Sequence, residues 1–393
     1  MDDQEQLTDN ARAPAQKRRI SFRRRLAYIA FVYLIFVLIL VAVEVFTRLK
    51  MPHVSSLDLF VVTSQQKAQV ADNEHVGIFE GDPLLLWRLK PNLDNVYWDY
   101  TVVSTNSDHL RVVNPSQSVQ GKRAGTIRIL CLGDSVTFGY RVPPVWPDKL
   151  NDYDREWLPY PRLLEKQLST ANPGRKVEVI TMAVPGYTSH QGLAWLSRDI
   201  DWLQPDLLIV SFGWNDTSFS DVPDREAIKT NRMAVAVRWL IDHSQAFAHA
   251  THWLRNRELK NQPAGTGVRQ PPVARVSQEE YLQNMIAIEE LTRMHGAQVI
   301  VIGAPYRDTS PSAPEGPSML RYRQALSAAM SQAGVPYLEI LELTEAAYPA
   351  NEGWFGERIH PNHMGHRLMT SELLKLIAAK RLLPELMIPE FVP

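Results

Sequence analysis

The sequence of 393 residues holds a single cysteine, Cys131. One thiol excludes an intrachain disulfide and a zinc site built from four cysteines. Cys131 lies inside an apolar run and ahead of the turn that follows it, so it reads as a small buried hydrophobe, not a nucleophile. An excess of charge of either sign is also lacking: the net charge is -1 and the pI is about 6.8. That balance offers no basic field for nucleic acid and no acidic surplus of the kind that keeps a chain unfolded. There is no internal repeat and no GxxxxGK(S/T) phosphate loop, since the stretch from Gly133 to Gly139 has no lysine. No metal or organic cofactor is expected.

What is present is a chain 45% hydrophobic, able to bury a large core, with 27 prolines. Residues 1–16 are polar and without apolar period, as in a disordered tail. A basic cluster follows, Lys17, Arg18, Arg19, Arg23, Arg24 and Arg25. Residues 26–43 then carry no charged or strongly polar side chain. As a helix they span about 27 Å, close to the hydrocarbon core of a bilayer. A cleaved signal peptide has a shorter apolar core and small residues before the cut, and Glu44-Val45-Phe46-Thr47-Arg48 is a poor cleavage site. The expectation is an uncleaved single-pass anchor in the inner (cell) membrane. Basic residues concentrated before it put the amino terminus in the cytoplasm and the rest of the chain on the far side. We therefore expect a cytoplasmic basic tail at 1–25, a membrane anchor at 26–47 and a linker at 48–75. A small β-rich appendage is expected at 76–122, and the main domain at 123–385.

From Thr126 onward short Val/Ile/Leu runs alternate with amphipathic stretches. Strands are expected at 126–132, 177–184, 206–212, 298–304 and 336–341. Helices are expected at 161–169, 190–201, 278–295, 319–333 and 363–379. Apolar strands alternating with helices indicate a three-layer α/β/α domain around a mostly parallel five-stranded sheet. The connection at 217–276 is unusually long and carries two further helical stretches, 232–239 and 247–259. It reads as a lid or a helix touching the membrane surface on one view, and as a packed insert covering the sheet edge on the simpler and favoured one. Residues 262–272, rich in Gly and Pro, read as a loop.

The chemistry centres on Gly133-Asp134-Ser135 at the carboxyl end of the first sheet strand. A serine hydroxyl is a weak nucleophile and needs a base within hydrogen-bond reach. His360 is the candidate base, and Glu357, three residues earlier, is the candidate acid that orients it. An oxyanion needs preorganised donors. The Ser135 and Gly186 backbone N–H groups and the Asn215 side chain, each expected at a strand's carboxyl end, fill that role. Asp134 is expected to brace the loop. Taken singly, Gly186 is a turn glycine, Asn215-Asp216 a cap and His360 a loop histidine. Their order along the chain, each at a strand end or helix start, is what groups them.

Gly133-Asp134-Ser135, Gly186, Gly213-Trp214-Asn215-Asp216 and His360 resemble the four sequence blocks of the SGNH/GDSL hydrolase superfamily, over about 126–382. The Trp87-Arg88-Leu89-Lys90-Pro91-Asn92 stretch resembles a segment that precedes this domain in membrane-anchored bacterial members. The resemblance implies a flavodoxin-like fold and serine-dependent hydrolysis or transfer of acyl groups, with Ser135, Gly186, Asn215 and His360 at the site. The family usually has Asp three residues before the histidine; here it is Glu357. The α/β-hydrolase elbow GxSxG is not matched, because position 137 is Thr. Metal binding by His360, His363 and His366 is disfavoured by their spacing of three, which drifts around a helix. The expected substrate is an O-acyl ester on envelope carbohydrate, with transfer of the acyl group or a lipid ester as alternatives. A non-catalytic scaffold or glycan-binding role is the rival of another class. The expected surroundings are the membrane and an envelope polysaccharide machinery.

Overall fold

The computed structural model describes residues 21–54, 77–119, 121–220, 222–233, 235–261, 273–305, 316–340, 353–357 and 359–393. The tail at 1–20, most of the linker at 55–75, the loop at 262–272 and the last residue of the fifth expected strand lie outside the described residues. The chain begins with one continuous helix, α1 (Phe22–Lys50), of 29 residues. It is long and apolar enough to cross a membrane. Its apolar side chains face outward along its length: Phe31, Leu34 and Leu38 are all more than half exposed.

Two antiparallel ribbons follow, β1 (Phe79–Asp82) with β2 (Leu86–Leu89), and β3 (Val96–Trp98) with β4 (Thr101–Val103). The stretch that reads as one β-rich run in sequence is thus a hairpin. Asp99 and Tyr100 turn it, with φ of 42° and 57°. Two consecutive left-handed residues suit the tight two-residue loop whose twist matches its strands.

The main domain runs β5 (Ile127–Gly133), α2 (Ser135–Phe138), α3 (Tyr160–Ala171), β6 (Val177–Ala183), α4 (Ser189–Leu203), β7 (Leu207–Ser211) and α5 (Trp214–Thr217). An excursion follows: β8 (Phe219–Ser220), α6 (Asp224–Met233), α7 (Val235–His243), α8 (Gln245–Asn261) and β9 (Val273–Ala274). The domain closes with α9 (Gln278–Met294), β10 (Gln298–Ile302), α10 (Gly316–Gln332), β11 (Tyr337–Leu338) and α11 (His363–Lys380). The five-stranded sheet has the order β6-β5-β7-β10-β11, with every pair parallel.

Alternate residues of each strand feed opposite layers, as the pleat requires. Leu130 and Leu132 of β5 join Leu208, Val210, Trp195, Leu196 and Met285 in one core cluster. Ile129 and Cys131 join Ile209, Leu164, Leu168 and Leu373 in the other. Helices α4, α9 and α10 thus cover one face, and α3 and α11 cover the other. The β ribbons share the first cluster, contributing Phe79, Trp87, Leu89 and Trp98. The winding of the sheet reverses between β5 and β7, and the crevice outside such a reversal is where open α/β sheets hold ligands.

The expected helix at 232–239 is helical at its described residues, and residue 234 lies outside them. The excursion differs from the sequence reading in its packing: α8 packs on α1 and α7, where a cover for the sheet edge was the favoured expectation.

Candidate active site

Gly133 ends β5 where no other residue fits. A Cβ there would lie 2.2 Å from Thr137 Oγ1 and 2.9 Å from the Ser211 carbonyl oxygen. The chain can therefore turn from the strand straight into α2. Asp134 caps that short helix, its Oδ1 accepting the Val136 N–H at 2.9 Å. Gly139 closes the helix in the left-handed region, with φ of 80°. Ser135 becomes the first helical residue, and the N–H of such a residue has no partner within its helix.

His360 comes from the other end of the chain. Pro361 bridges to Phe355, Gly356 N–H donates to the His360 carbonyl at 3.0 Å, and Asn362 N–H donates to the Trp354 carbonyl at 3.0 Å. Asn362 Oδ1 accepts from Met364 N–H and Gly365 N–H, which caps α11 and seats this small hairpin on it. The hairpin presents His360 and Glu357 together. His360 Nε2 lies 2.8 Å from Ser135 Oγ, across 225 residues of sequence. His360 Nδ1–H donates to Glu357 Oε1. That hydrogen bond, aided by the charges of His360 and Arg141 and opposed by partial burial, holds the Glu357 carboxyl below its ordinary range.

A second group of residues, not marked in the sequence, surrounds this pair. The Tyr140 ring lies against the His360 ring with centroids 4.3 Å apart. Tyr140 Oη–H donates to Asp99 Oδ2, and Arg141 Nη2 donates to Asp99 Oδ1 at 2.9 Å. The Arg141 guanidinium in turn covers the Tyr100 and Tyr140 rings. Asp99 and Tyr100 belong to the β3–β4 turn, so the ribbon reaches the catalytic side of the sheet.

Asn215 is the second residue of α5, just after β7. Its Nδ2 donates to the Tyr187 carbonyl at 3.0 Å and to Asp134 Oδ2 at 3.2 Å. The first bond ties it to the Gly186 loop, the second to the Ser135 turn. Burial pushes the Asp134 carboxyl up to about 6, against the Val136 N–H, the His360 charge and Asn215. Both Asp134 oxygens are thus engaged as a brace. Gly186 has φ of +86°, and a Cβ there would sit 3.2 Å from the Trp87 ring. Trp87 Nε1–H donates to the Pro185 carbonyl at 3.4 Å. In a trans peptide the following N–H points away from its carbonyl, so this contact sets the direction of the Gly186 N–H. Arg275 secures the next peptide, donating from Nη1 to the Gly186 carbonyl at 2.7 Å.

The other two histidines of the sequence cluster turn elsewhere. His363 stacks on Trp157, with ring centroids 3.7 Å apart. His366 is buried, and its Nδ1 accepts the Tyr160 N–H at 3.2 Å. Burial pushes it down to about 3, so it stays neutral.

Residues 131–368, well over half of the chain, match the model of the GDSL-like lipase/acylhydrolase family. The chain belongs to this family. An arylesterase from Vibrio mimicus is 35% identical over 91 residues, a match spanning 23% of this chain and 38% of the arylesterase. The chain therefore spans less than two thirds of the length of that curated relative. Among solved structures, a lipase/acylhydrolase from Enterococcus faecalis is 18% identical, covers 67% of this chain and 99% of its own, and gives a TM-score of 0.40. A catalytic mutant of an acetylxylan esterase from Geobacillus stearothermophilus is 16% identical, covers 64% and 94%, and also gives 0.40.

Within this GDSL-family chain, sequence reasoning leaves out Tyr140, Arg141, Asp99, Trp87 and Arg275 as neighbours of the site. Trp87 had a signal, the stretch ahead of the domain. Arg275 follows the long excursion and carries no motif at all.

Proposed function

We propose that the chain is a serine-dependent carboxylic ester hydrolase, tethered by α1 and working on O-acyl groups, acetyl above all, of envelope carbohydrate outside the cytoplasm. The observation that carries the reading is the chain of hydrogen bonds Ser135 Oγ to His360 Nε2 and His360 Nδ1 to Glu357. Ser135 is the nucleophile, His360 the base, Glu357 the orienting acid, and Asp134 a brace. Neither a metal nor an organic cofactor is called for.

Ser135 Oγ attacks the ester carbonyl carbon as its proton passes to His360 Nε2. Glu357 accepts from Nδ1–H and stabilises the imidazolium that forms. The carbonyl π pair moves onto oxygen, which receives the Ser135 and Gly186 N–H groups and the Asn215 amide. Asn215 Nδ2 already serves two acceptors, and the longer contact, to Asp134, is the one it shares with the oxyanion. Collapse breaks the bond to the alcohol oxygen, which leaves with the proton from His360. Water then gives a proton to His360 and its oxygen attacks the acyl carbon. Breakdown returns the proton to Ser135 and releases the acid. An acceptor hydroxyl in place of water gives transfer instead.

The carbohydrate preference rests on two features. Tyr140 and Glu357, which touch His360, and Asp99 and Arg141, which bind Tyr140 in turn, carry polar or charged heads suited to a polyhydroxyl leaving group. An anchor at 26–47, with the basic cluster before it, also holds the domain at the outer face of the membrane, near nascent envelope polysaccharide.

An acyl-length series of aryl esters, with the full chain in detergent, tests the reading. Acetyl esters turn over, rates fall with chain length, and Ser135→Ala removes the activity. A strong preference for long acyl chains contradicts the carbohydrate assignment. Absence of turnover across the series and on acetylated oligosaccharides contradicts the enzyme assignment.

A further inference from the structure

The excursion between β7 and α9 meets α1 in a specific way. Glu44, at the end of the apolar run of α1, accepts from Gln245 N–H at 3.0 Å, Ala246 N–H at 3.0 Å and Ser244 Oγ–H at 2.7 Å. Those donors are the start of α8, so a carboxylate of α1 caps a helix of the excursion. One turn along α1, Arg48 Nη2 donates to the His243 carbonyl at 2.8 Å, the last residue of α7. The chain leaving α1 continues the contact. Val54 N–H donates to Gln245 Oε1 at 2.9 Å, Gln245 Nε2 donates back to the Val54 carbonyl at 3.0 Å, and His249 Nε2 meets the Pro52 carbonyl at 3.0 Å. Ile241 and Ala248 bury against Val54.

The same two helices leave large apolar side chains uncovered, Trp239 and Leu240 near the end of α7 and Trp253 and Leu254 midway along α8. Trp239 and Trp253 are each 59% exposed, Leu254 is 54% exposed and Leu240 is 39% exposed. The Arg257 guanidinium lies 5.4 Å from the Trp253 ring centroid. Tryptophan with a nearby arginine is the composition favoured at a headgroup boundary, where the ring is half apolar and the cation meets phosphate.

We propose that the α7–α8 corner is a membrane seat: its Trp239, Leu240, Trp253 and Leu254 side chains rest in the headgroup boundary of the bilayer that α1 crosses. This rests on the reading of α1 as a membrane span. Glu44 stands where the apolar run ends, which is the depth of that boundary. A corner hydrogen-bonded to Glu44 and Arg48 is therefore held at the lipid surface. The occupant follows from this continuity. The seat also fixes the rotation of the catalytic domain about α1, so the Ser135 crevice has one orientation to the membrane.

The test uses full-length protein in phosphatidylcholine vesicles carrying spin-labelled lipids, with one fluorescent thiol label per variant. Cys131 is buried and is replaced by serine throughout. Labels go on Leu38→Cys in α1, Trp253→Cys and Leu254→Cys in the seat, and Met294→Cys on an exposed site of α9. The expected result is strong quenching of Leu38→Cys by deep spin labels, at least about twofold quenching of both seat labels by shallow ones, and none at Met294→Cys. Adding Glu44→Ala reduces quenching of the seat labels and leaves that of Leu38→Cys. Quenched Leu38→Cys with unquenched seat labels overturns the proposal while the anchor stands; the corner then faces protein or solvent. Unquenched Leu38→Cys overturns the anchor and the seat with it. Neither outcome depends on ester hydrolysis.

Discussion

Arg275 donates to the Gly186 carbonyl at 2.7 Å while its other guanidinium nitrogens hold buried Asp224 at 2.8 and 3.0 Å. One side chain therefore links the glycine loop of the site to the excursion. Arg275→Ala leaves Asp224 buried without its cation, a loss of roughly 3–5 kcal/mol of stability. The double variant Arg275→Met/Asp224→Leu removes the stranded charge and recovers much of that loss. Its kcat stays below wild type, because the Gly186 peptide is no longer held. Urea unfolding and ester turnover on the two variants check this; full recovery of kcat in the double variant contradicts it.

In the proposed mechanism Asn215→Ala removes one donor to the oxyanion. We expect kcat to fall by roughly 10²–10³, with KM little changed, as for loss of a preorganised oxyanion donor. Steady-state kinetics on a short aryl ester measure it. A KM effect with unchanged kcat assigns Asn215 to substrate binding instead.

In the proposed mechanism Glu357→Gln keeps an oxygen near His360 Nδ1 but removes the charge that stabilises the imidazolium. A fall in kcat of at least about tenfold is expected, with Glu357→Asp retaining more activity than Gln. The wild-type carboxyl lies below its ordinary range, so it stays ionised to lower pH than a free glutamate. Equal activity of wild type and Glu357→Gln between pH 6 and pH 8 removes Glu357 from the mechanism.

His366 gives a pH-dependent stability term. Its folded value, about 3, lies below the ordinary 6.5, so on acidification the unfolded chain binds the proton first. Stability from this group is present above pH 6.5 and is lost as pH falls towards 3. Between pH 7 and pH 5 the loss is about 2 kcal/mol, at about 1.4 kcal/mol per unit. Asp134 and Asp216, pushed up to about 6 and about 7 by burial, act in the opposite sense, because the folded state protonates first. Comparing wild type with His366→Gln at both pH values cancels their contributions. The variant should lose less stability on going from pH 7 to pH 5; equal losses contradict the assignment.

The sheet is legible in the sequence because its strands are short runs of Val, Ile and Leu buried on both faces, and the expected bounds lie within a few residues of those observed. Ser135, His360 and Glu357 are legible as a group because each follows a strand or precedes a helix where backbone geometry leaves a side chain free. The surrounding side chains are not legible. Tyr140, against His360, and Arg141 behind it are held by Asp99 of the Asp99-Tyr100 turn, and nothing local announces that turn as two left-handed residues. The grip of Glu44 on α8 joins residues about two hundred positions apart. In sequence Glu44 reads only as the polar end of an apolar run.

In the proposed mechanism Ser135 is a nucleophile activated by His360. Reaction of the full chain with a fluorophosphonate, followed by peptide mass spectrometry, tests it most directly. One phosphonyl group is expected on the Ser135 peptide, lost in Ser135→Ala and slowed at least about a hundredfold in His360→Ala. An adduct on another residue, or labelling of Ser135 at an unchanged rate without His360, contradicts it.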